Sequence, residues 1–278
     1  MIIDFHTHIF PPYIKYRRED FFDDLGFKLL YHNQKSKIVT AEELVNAMDI
    51  NGVDKSVVFG FPWLKEENYK RHNDYIIESV NRFPERLIGF CCFYPTKNSE
   101  KELLRCLRAG LKGVGEIAFY NSDITLSIID SLKGIMDICK ENKLPFLLHT
   151  NEPVGHMYAG KSPISLSGLY MFIKTYTENK VVLAHWGGGL FFYNIMKKEV
   201  KDILQNVWFD TAASPYLYEK NIYNIALNIV GLNKILFGSD YPLLSPRRYF
   251  EEMKKAGLDD VNMNKILGEN AIKVLRDV

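Results

Sequence analysis

A chain of 278 residues, 47% hydrophobic and 25% charged, has the composition of a folded globular protein with a sizeable core, which excludes disordered and membrane-spanning classes. Its net charge of +1 gives no bulk attraction to a polyanion, so the expected partner is a small-molecule substrate and not nucleic acid. No apolar segment approaches about 18 residues, and the N-terminus opens on a strand-like run instead of a signal, so a cytoplasmic protein without membrane contact is expected.

The first run, Met1 to Phe10, is apolar and ends in His6 and His8. Side chains two apart on a strand share a face, so these imidazoles can share a divalent cation. From Pro11 to Lys37 periodicity fails and a long loop is expected. Thr40 with Glu43 reads as a capping box opening a helix through Leu44, Val45 and Met48 that Asn51-Gly52 ends. Strand-like runs follow at Lys55 to Phe61, Leu87 to Tyr94, Lys112 to Phe119, Pro145 to Thr150, Lys180 to His185, Val207 to Thr211 and Lys234 to Asp240. Helical patterns alternate with them: through Tyr75, Ile76, Ile77 and Val80, then Ser99 to Ala109, Thr125 to Asn142, and near 166–177, 190–204, 216–230 and 246–256. One or two more helices fit Val261 to Leu275.

The strands are nearly all apolar, as strands covered on both faces are. Eight such alternations without a composition break predict a single domain over 1–278, a closed parallel (β/α)8 TIM barrel. The rival, an open doubly wound sheet, would carry its glycine fingerprint after an early strand, whereas Gly187-Gly188-Gly189 follows the sixth. Cys91, Cys92, Cys106 and Cys139 have no metal or disulfide spacing and read as buried free thiols.

In a barrel the C-terminal ends of the strands form one mouth, where active sites are built. His6, His8, Glu116, His149, His185 and Asp240 all fall there. Taken singly, His149 or His185 can be a core histidine, Glu116 a lysine's partner and Asp240 a helix cap. Six together point to a metal centre.

The motifs Asp4-Phe5-His6-Thr7-His8, Leu147-Leu148-His149, Ala184-His185-Trp186-Gly187-Gly188-Gly189, Phe237-Gly238-Ser239-Asp240-Tyr241-Pro242 and Glu269-Asn270-Ala271 resemble, in order, those of the amidohydrolase superfamily. Within it the chain is similar to the amidohydrolase-related group that includes aminocarboxymuconate semialdehyde decarboxylase-like enzymes. The resemblance implies that His6, His8, His149 and Asp240 hold a divalent metal, commonly zinc, with His185 a second metal ligand or catalytic base. Glu116 resembles the bridging glutamate of two-metal members, so one or two ions are expected. The main expectation is a hydrolase acting on a small amide, ester or lactone through metal-activated water, with Asp240 moving the proton and His185 assisting. The alternative is a non-oxidative decarboxylase of a small carboxylic acid, for which Arg247, Arg248 and Lys161 are the candidate cations. Trp63, His156, Tyr241 and Arg247, in the mouth loops, are the candidates for substrate contact. A homodimer is left open.

Overall fold

The computed structural model describes residues 1–276. Eight parallel strands form: β1 (Ile3–His8), β2 (Lys55–Phe59), β3 (Leu87–Gly89), β4 (Val114–Ile117), β5 (Phe146–Leu148), β6 (Val181–Leu183), β7 (Val207–Asp210) and β8 (Ile235–Leu236). They make two hydrogen-bonded runs, β1-β2-β3 and β4 through β8. Backbone bonds close both seams. Between β3 and β4, Cys91 N–H donates to Gly113 O at 2.8 Å and Gly115 N–H to Cys91 O at 2.9 Å. Between β8 and β1, Phe5 N–H donates to Phe237 O and His8 N–H to Tyr241 O, both at 2.8 Å. Parallel bridges Cys91–Val114 and Thr7–Tyr241 mark the same seams. The expected (β/α)8 barrel is therefore the observed fold.

Two apolar layers hold it. Ile3, Phe5, Val57, Phe59, Phe90, Leu147, Val182 and Leu236 fill the barrel interior together with Ala271 and Val274 of the last helix, Asn270–Leu275. A larger layer packs the outward strand faces against the helices, each fully buried Leu or Phe contributing about 1.5–3 kcal/mol. The Thr40 capping box is present, with Glu43 accepting from Thr40 N–H at 2.8 Å, and Gly52 ends that helix at φ 71°. All four cysteines are free and buried. Among the described residues no helix is long and apolar enough to cross a membrane.

Two strand irregularities aim the mouth residues. Between Asp4 and Thr7, β1 carries one more residue than the facing Ser56 to Val58 of β2, and β4 does the same between Val114 and Ile117 against Phe146 to Leu148. An extra residue turns two neighbours toward one face. Phe5 thus fills the barrel while His6 and His8 still reach its mouth, and Glu116 points inward between outward Val114 and Ile117. Gly115 is required at this point: at φ 136°, a Cβ there would stand 2.6 Å from both Leu147 Cβ and Leu147 O.

The Pro11 to Lys37 segment corrects the expectation of a loop. It forms short helices at Pro12–Tyr16, Arg18–Phe21 and Leu25–Tyr31, the last capped by Asp24. Helices of four to seven residues are too short to show a period. The Thr125 to Asn142 pattern splits into Leu126–Ser131 and Lys133–Glu141. Near 190–204 only Lys198–Ile203 is α-helical, because the chain leaves β6 through a run of left-handed residues.

Candidate metal centre

Strand ends bring all six mouth residues together. His6 Nε2 and His8 Nε2 stand 3.2 Å apart. Glu116 Oε2 lies 3.7 Å from each, and Asp240 Oδ1 lies 3.5 Å from His6 and 3.3 Å from His8. The other oxygen of Glu116 faces the opposite side, 3.0 Å from His149 Nδ1 and 3.7 Å from His185 Nε2. Glu116 therefore joins two halves of one cluster.

The outer partners of three imidazoles fix their tautomers. His6 Nδ1 meets Asp210 Oδ2 at 2.8 Å, His185 Nδ1 meets Ala212 O at 3.0 Å, and His149 Nε2 meets Gly160 O at 3.0 Å. Each partner only accepts, so each of those nitrogens carries a proton, and the ring's other nitrogen faces the cluster, where a cation can take the place of a second proton. Asp210, fully buried at the end of β7, also accepts N–H groups from His185 at 2.9 Å and Ala212 at 3.0 Å. It ties the ends of β1, β6 and β7 into one support. Asp4 does similar work between β1 and β8, accepting from Ser239 N–H at 2.9 Å and His6 N–H at 3.2 Å.

Backbone conformation adds to this. His185 and Asp240 have φ 54° and 57°, a region costly for residues with a Cβ and found where function holds a side chain in place. His185 opens a left-handed turn through Trp186, Gly187, Gly188 and Gly189. A Cβ on Gly188 would stand 2.3 Å from Asn151 O, so this turn presses on the loop that follows β5.

Burial opposes charge throughout the cluster, and mutual attraction outweighs it. Glu116 is held well below the usual carboxylate range by His6 and His149, and Asp240 at about 2 by its bond to His8 and the His6 charge. His6 is raised to about 10 by Glu116 and Asp210, and His185 to about 8 by Glu116 and Asp240. Burial lifts the Asp4 carboxyl to about 7 against its bonds from Ser239.

The donor set fits a divalent metal. Imidazole nitrogens and two carboxylates converge, and His8 Nδ1 is buried without a partner. With ligand bonds of about 2.0–2.2 Å, neighbouring donors around one ion stand roughly 3.0–3.6 Å apart, close to the 3.2–3.7 Å separations among His6, His8, Glu116 and Asp240. The ligating atoms of His6, His185 and Asp240, and those of Glu116, His149 and His185, likewise lie within 4.8 Å of one another.

Above the cluster opens a cavity of about 940 Å³, lined by His8, Glu116, His149, His185 and Asp240 with Tyr31, Phe61, Tyr120, Tyr158 and, near the rim, Lys35 and Lys37. Of the residues expected to touch substrate, only His156 lines it. Trp63 is fully buried, its Nε1–H donated to His72 Nδ1 at 3.0 Å, because the short helices after β1 build an aromatic core around it. Tyr241 is half-buried beside the cavity, and Arg247 lies on an exposed helix face paired with Glu251. Arg248 pairs with Glu252 and stacks on Tyr216, and Lys161 pairs with Glu152.

Asp210, which supports the cluster through His6 and His185, is not among the residues that the sequence singles out. Its signal is the one acid in the apolar run Val207 to Thr211, at the same rim as the other six.

A sequence profile described as amidohydrolase matches residues 3–276. Among similar solved structures is 5-carboxyvanillate decarboxylase from Novosphingobium aromaticivorans, complexed with manganese and 4-hydroxy-3-methoxy-5-nitrobenzoic acid (TM-score 0.77, 16% identity, 99% of this chain and 96% of that one). Another is 5-carboxyvanillate decarboxylase from Sphingomonas paucimobilis (TM-score 0.75, 15% identity, 99% and 98%). A third is dihydroxybenzoic acid decarboxylase from a Polaromonas species, with bound manganese and 2-nitroresorcinol (TM-score 0.72, 16% identity, 99% and 96%). At such identities the likeness is one of fold. The main expectation of a hydrolase is corrected on this point: the three similar structures named here are decarboxylases, which agrees with the alternative. The physical reason is that a cluster of histidines and carboxylates marks a metal site without marking which bond is cleaved.

Proposed function

This chain belongs to the amidohydrolase family, and from that premise we propose that it is a divalent-metal-dependent decarboxylase of a small aromatic carboxylic acid. The observation that carries this reading is one cavity with a floor of histidines and carboxylates and walls of Tyr31, Phe61 and Tyr120. Aromatic walls suit a planar ring, and a cation among the floor residues suits the acid group. The decarboxylases of hydroxylated benzoic acids that share the fold supply the reaction class.

In this reading His6, His8, His149 and Asp240 hold the metal, with Glu116 between them and His185. When bound, such an ion orients the carboxylate and ring hydroxyl oxygens of the substrate and polarises them. Manganese and zinc both suit nitrogen and oxygen donors. The reaction breaks the bond between ring and carboxyl carbon, leaves the bonding pair with the ring, adds a proton there and releases carbon dioxide. His185, its Nδ1–H fixed on Ala212 O, offers Nε2 to carry that proton. Asp240, the most exposed of the six side chains at 16%, is the carboxylate best placed to meet the substrate and exchange the proton. Tyr31 and Tyr120 hold the ring and exclude water, and Lys35 and Lys37 draw an acid to the rim. A cytoplasmic location belongs to the same proposal, resting on four unpaired cysteines.

The test is elemental analysis of the purified protein, then assay with manganese or zinc against hydroxylated benzoic acids, simple esters and lactones. Metal-dependent carbon dioxide release from at least one acid is expected. Turnover of esters or lactones alone would overturn the proposal.

A further inference from the structure

Lys161, expected from the sequence as a cation for an acidic substrate, is already engaged. Its ammonium lies 2.9 Å from Glu152 Oε1 and also donates to Val154 O, with the two paired side chains only 7% and 13% exposed. Tyr158 donates its hydroxyl to the other Glu152 oxygen at 2.9 Å. The loop these residues span is pinned at its neck: Ser162 donates both its N–H and its hydroxyl to Asn151 Oδ1 at 2.8 Å, and Asn151 Nδ2 donates to Ser162 O at 3.2 Å. Within that loop, immediately before Lys161, Gly160 O receives the Nε2 proton of His149 at 3.0 Å. That contact is what turns His149 Nδ1 toward Glu116, 3.0 Å from its Oε1.

We propose that Lys161 is a positioning residue for the metal centre: its bonds to Glu152 and Val154 O fold the 151–162 loop back so that Gly160 O holds the Nε2–H of His149 and sets the direction of the ring. This rests on the reading that the cluster holds a divalent metal. The Asn151–Ser162 neck sets where the loop leaves β5 and returns, but it does not set the path between. The Lys161 ammonium does, because from the returning end of the loop it reaches past Glu152 to Val154 O on the outgoing side. A pair so removed from water is costly to break, since the partner left behind is an uncompensated charge. Gly160 then shifts with its neighbour. A backbone carbonyl holding the outer nitrogen of a metal-binding histidine is worth about 10- to 100-fold in metal affinity.

The experiment uses the full chain carrying Lys161→Met, which keeps the aliphatic stem, alongside Lys161→Arg, Tyr158→Phe and the surface-pair control Lys133→Met. Manganese and zinc dissociation constants are measured by chelator competition. In the metal-free proteins the His149 Nε2–H proton is followed by its ¹⁵N-coupled signal and its rate of exchange with water. Lys161→Met is expected to bind metal about 10-fold or more weakly and to exchange the His149 Nε2–H proton faster. Lys161→Arg should recover most of both properties, Tyr158→Phe should fall between, and Lys133→Met should match the parent. Parental affinity and a parental Nε2–H exchange rate in Lys161→Met would overturn the proposal. If that variant does not fold, parental values for both properties in Tyr158→Phe would overturn it. Failure of the parent protein itself to bind metal would reject the metal reading, while the proton-exchange comparison still decides the role of Lys161.

Discussion

His6 Nδ1 and Asp210 Oδ2 lie 2.8 Å apart, both fully buried, across 204 residues of chain. The second oxygen of Asp210 is committed to the N–H groups of His185 and Ala212. In Asp210→Asn the amide oxygen must therefore keep those two bonds, which turns the amide NH2 toward His6. His6 Nδ1 then becomes the acceptor, and the proton moves to Nε2, the nitrogen needed at the centre. We predict a folded protein whose metal affinity drops about 10- to 100-fold, measured by chelator competition. Affinity equal to the parent's would remove Asp210 from the support of the centre.

Asp240→Asn separates shape from proton chemistry. A capping role is excluded by the structure, since the next helix, Pro246–Lys255, begins after Ser245. The variant is expected to fold, keep part of its metal and lose about 10²- to 10⁴-fold in turnover at matched occupancy. Turnover near the parent's would return Asp240 to a purely structural place.

A prediction away from the centre concerns His72, fully buried between Ile9 O, at 2.7 Å from its Nε2, and Trp63 Nε1–H. Burial pushes its pKa from 6.5 down to about 4. Between those values the unfolded chain binds a proton that the folded chain refuses, so stability falls as pH drops from about 6.5 toward 4 and the effect levels off below. The loss from this group is on the order of 2 kcal/mol at pH 5. His72→Gln keeps hydrogen-bonding capacity without the titration. Its denaturation midpoints at pH 7 and pH 5 should differ less than the parent's, and equal differences would show that His72 does not set the acid limb.

The barrel and most of its mouth were legible because both rest on short-range patterns: apolar runs alternating with helical ones, and polar residues at the run ends. His6 and His8 were found by their spacing of two, although an extra residue in β1 is what lets Phe5 and His6 turn inward together. Asp210 was not found because its meaning depends on a partner at the other end of the chain. Trp63 was misplaced for a related reason. Seen beside Pro62 it reads as a mouth loop, yet Phe21 and Phe27 from short helices without a readable period bury it. The expectation of hydrolysis gave way to the alternative because a cluster of histidines and carboxylates serves hydrolysis and decarboxylation alike.

The most direct test of the account is to incubate the metal-loaded protein in D2O with a hydroxylated benzoic acid that it turns over, labelled with ¹³C at the carboxyl carbon, and to follow both label and ring by NMR. A metal-dependent decarboxylase will release ¹³CO2 and give a product with deuterium at the ring carbon that bore the carboxyl group, both abolished by chelation and restored by manganese or zinc. Product that keeps the ¹³C carboxyl group, or loss of label unaffected by chelation, would contradict it.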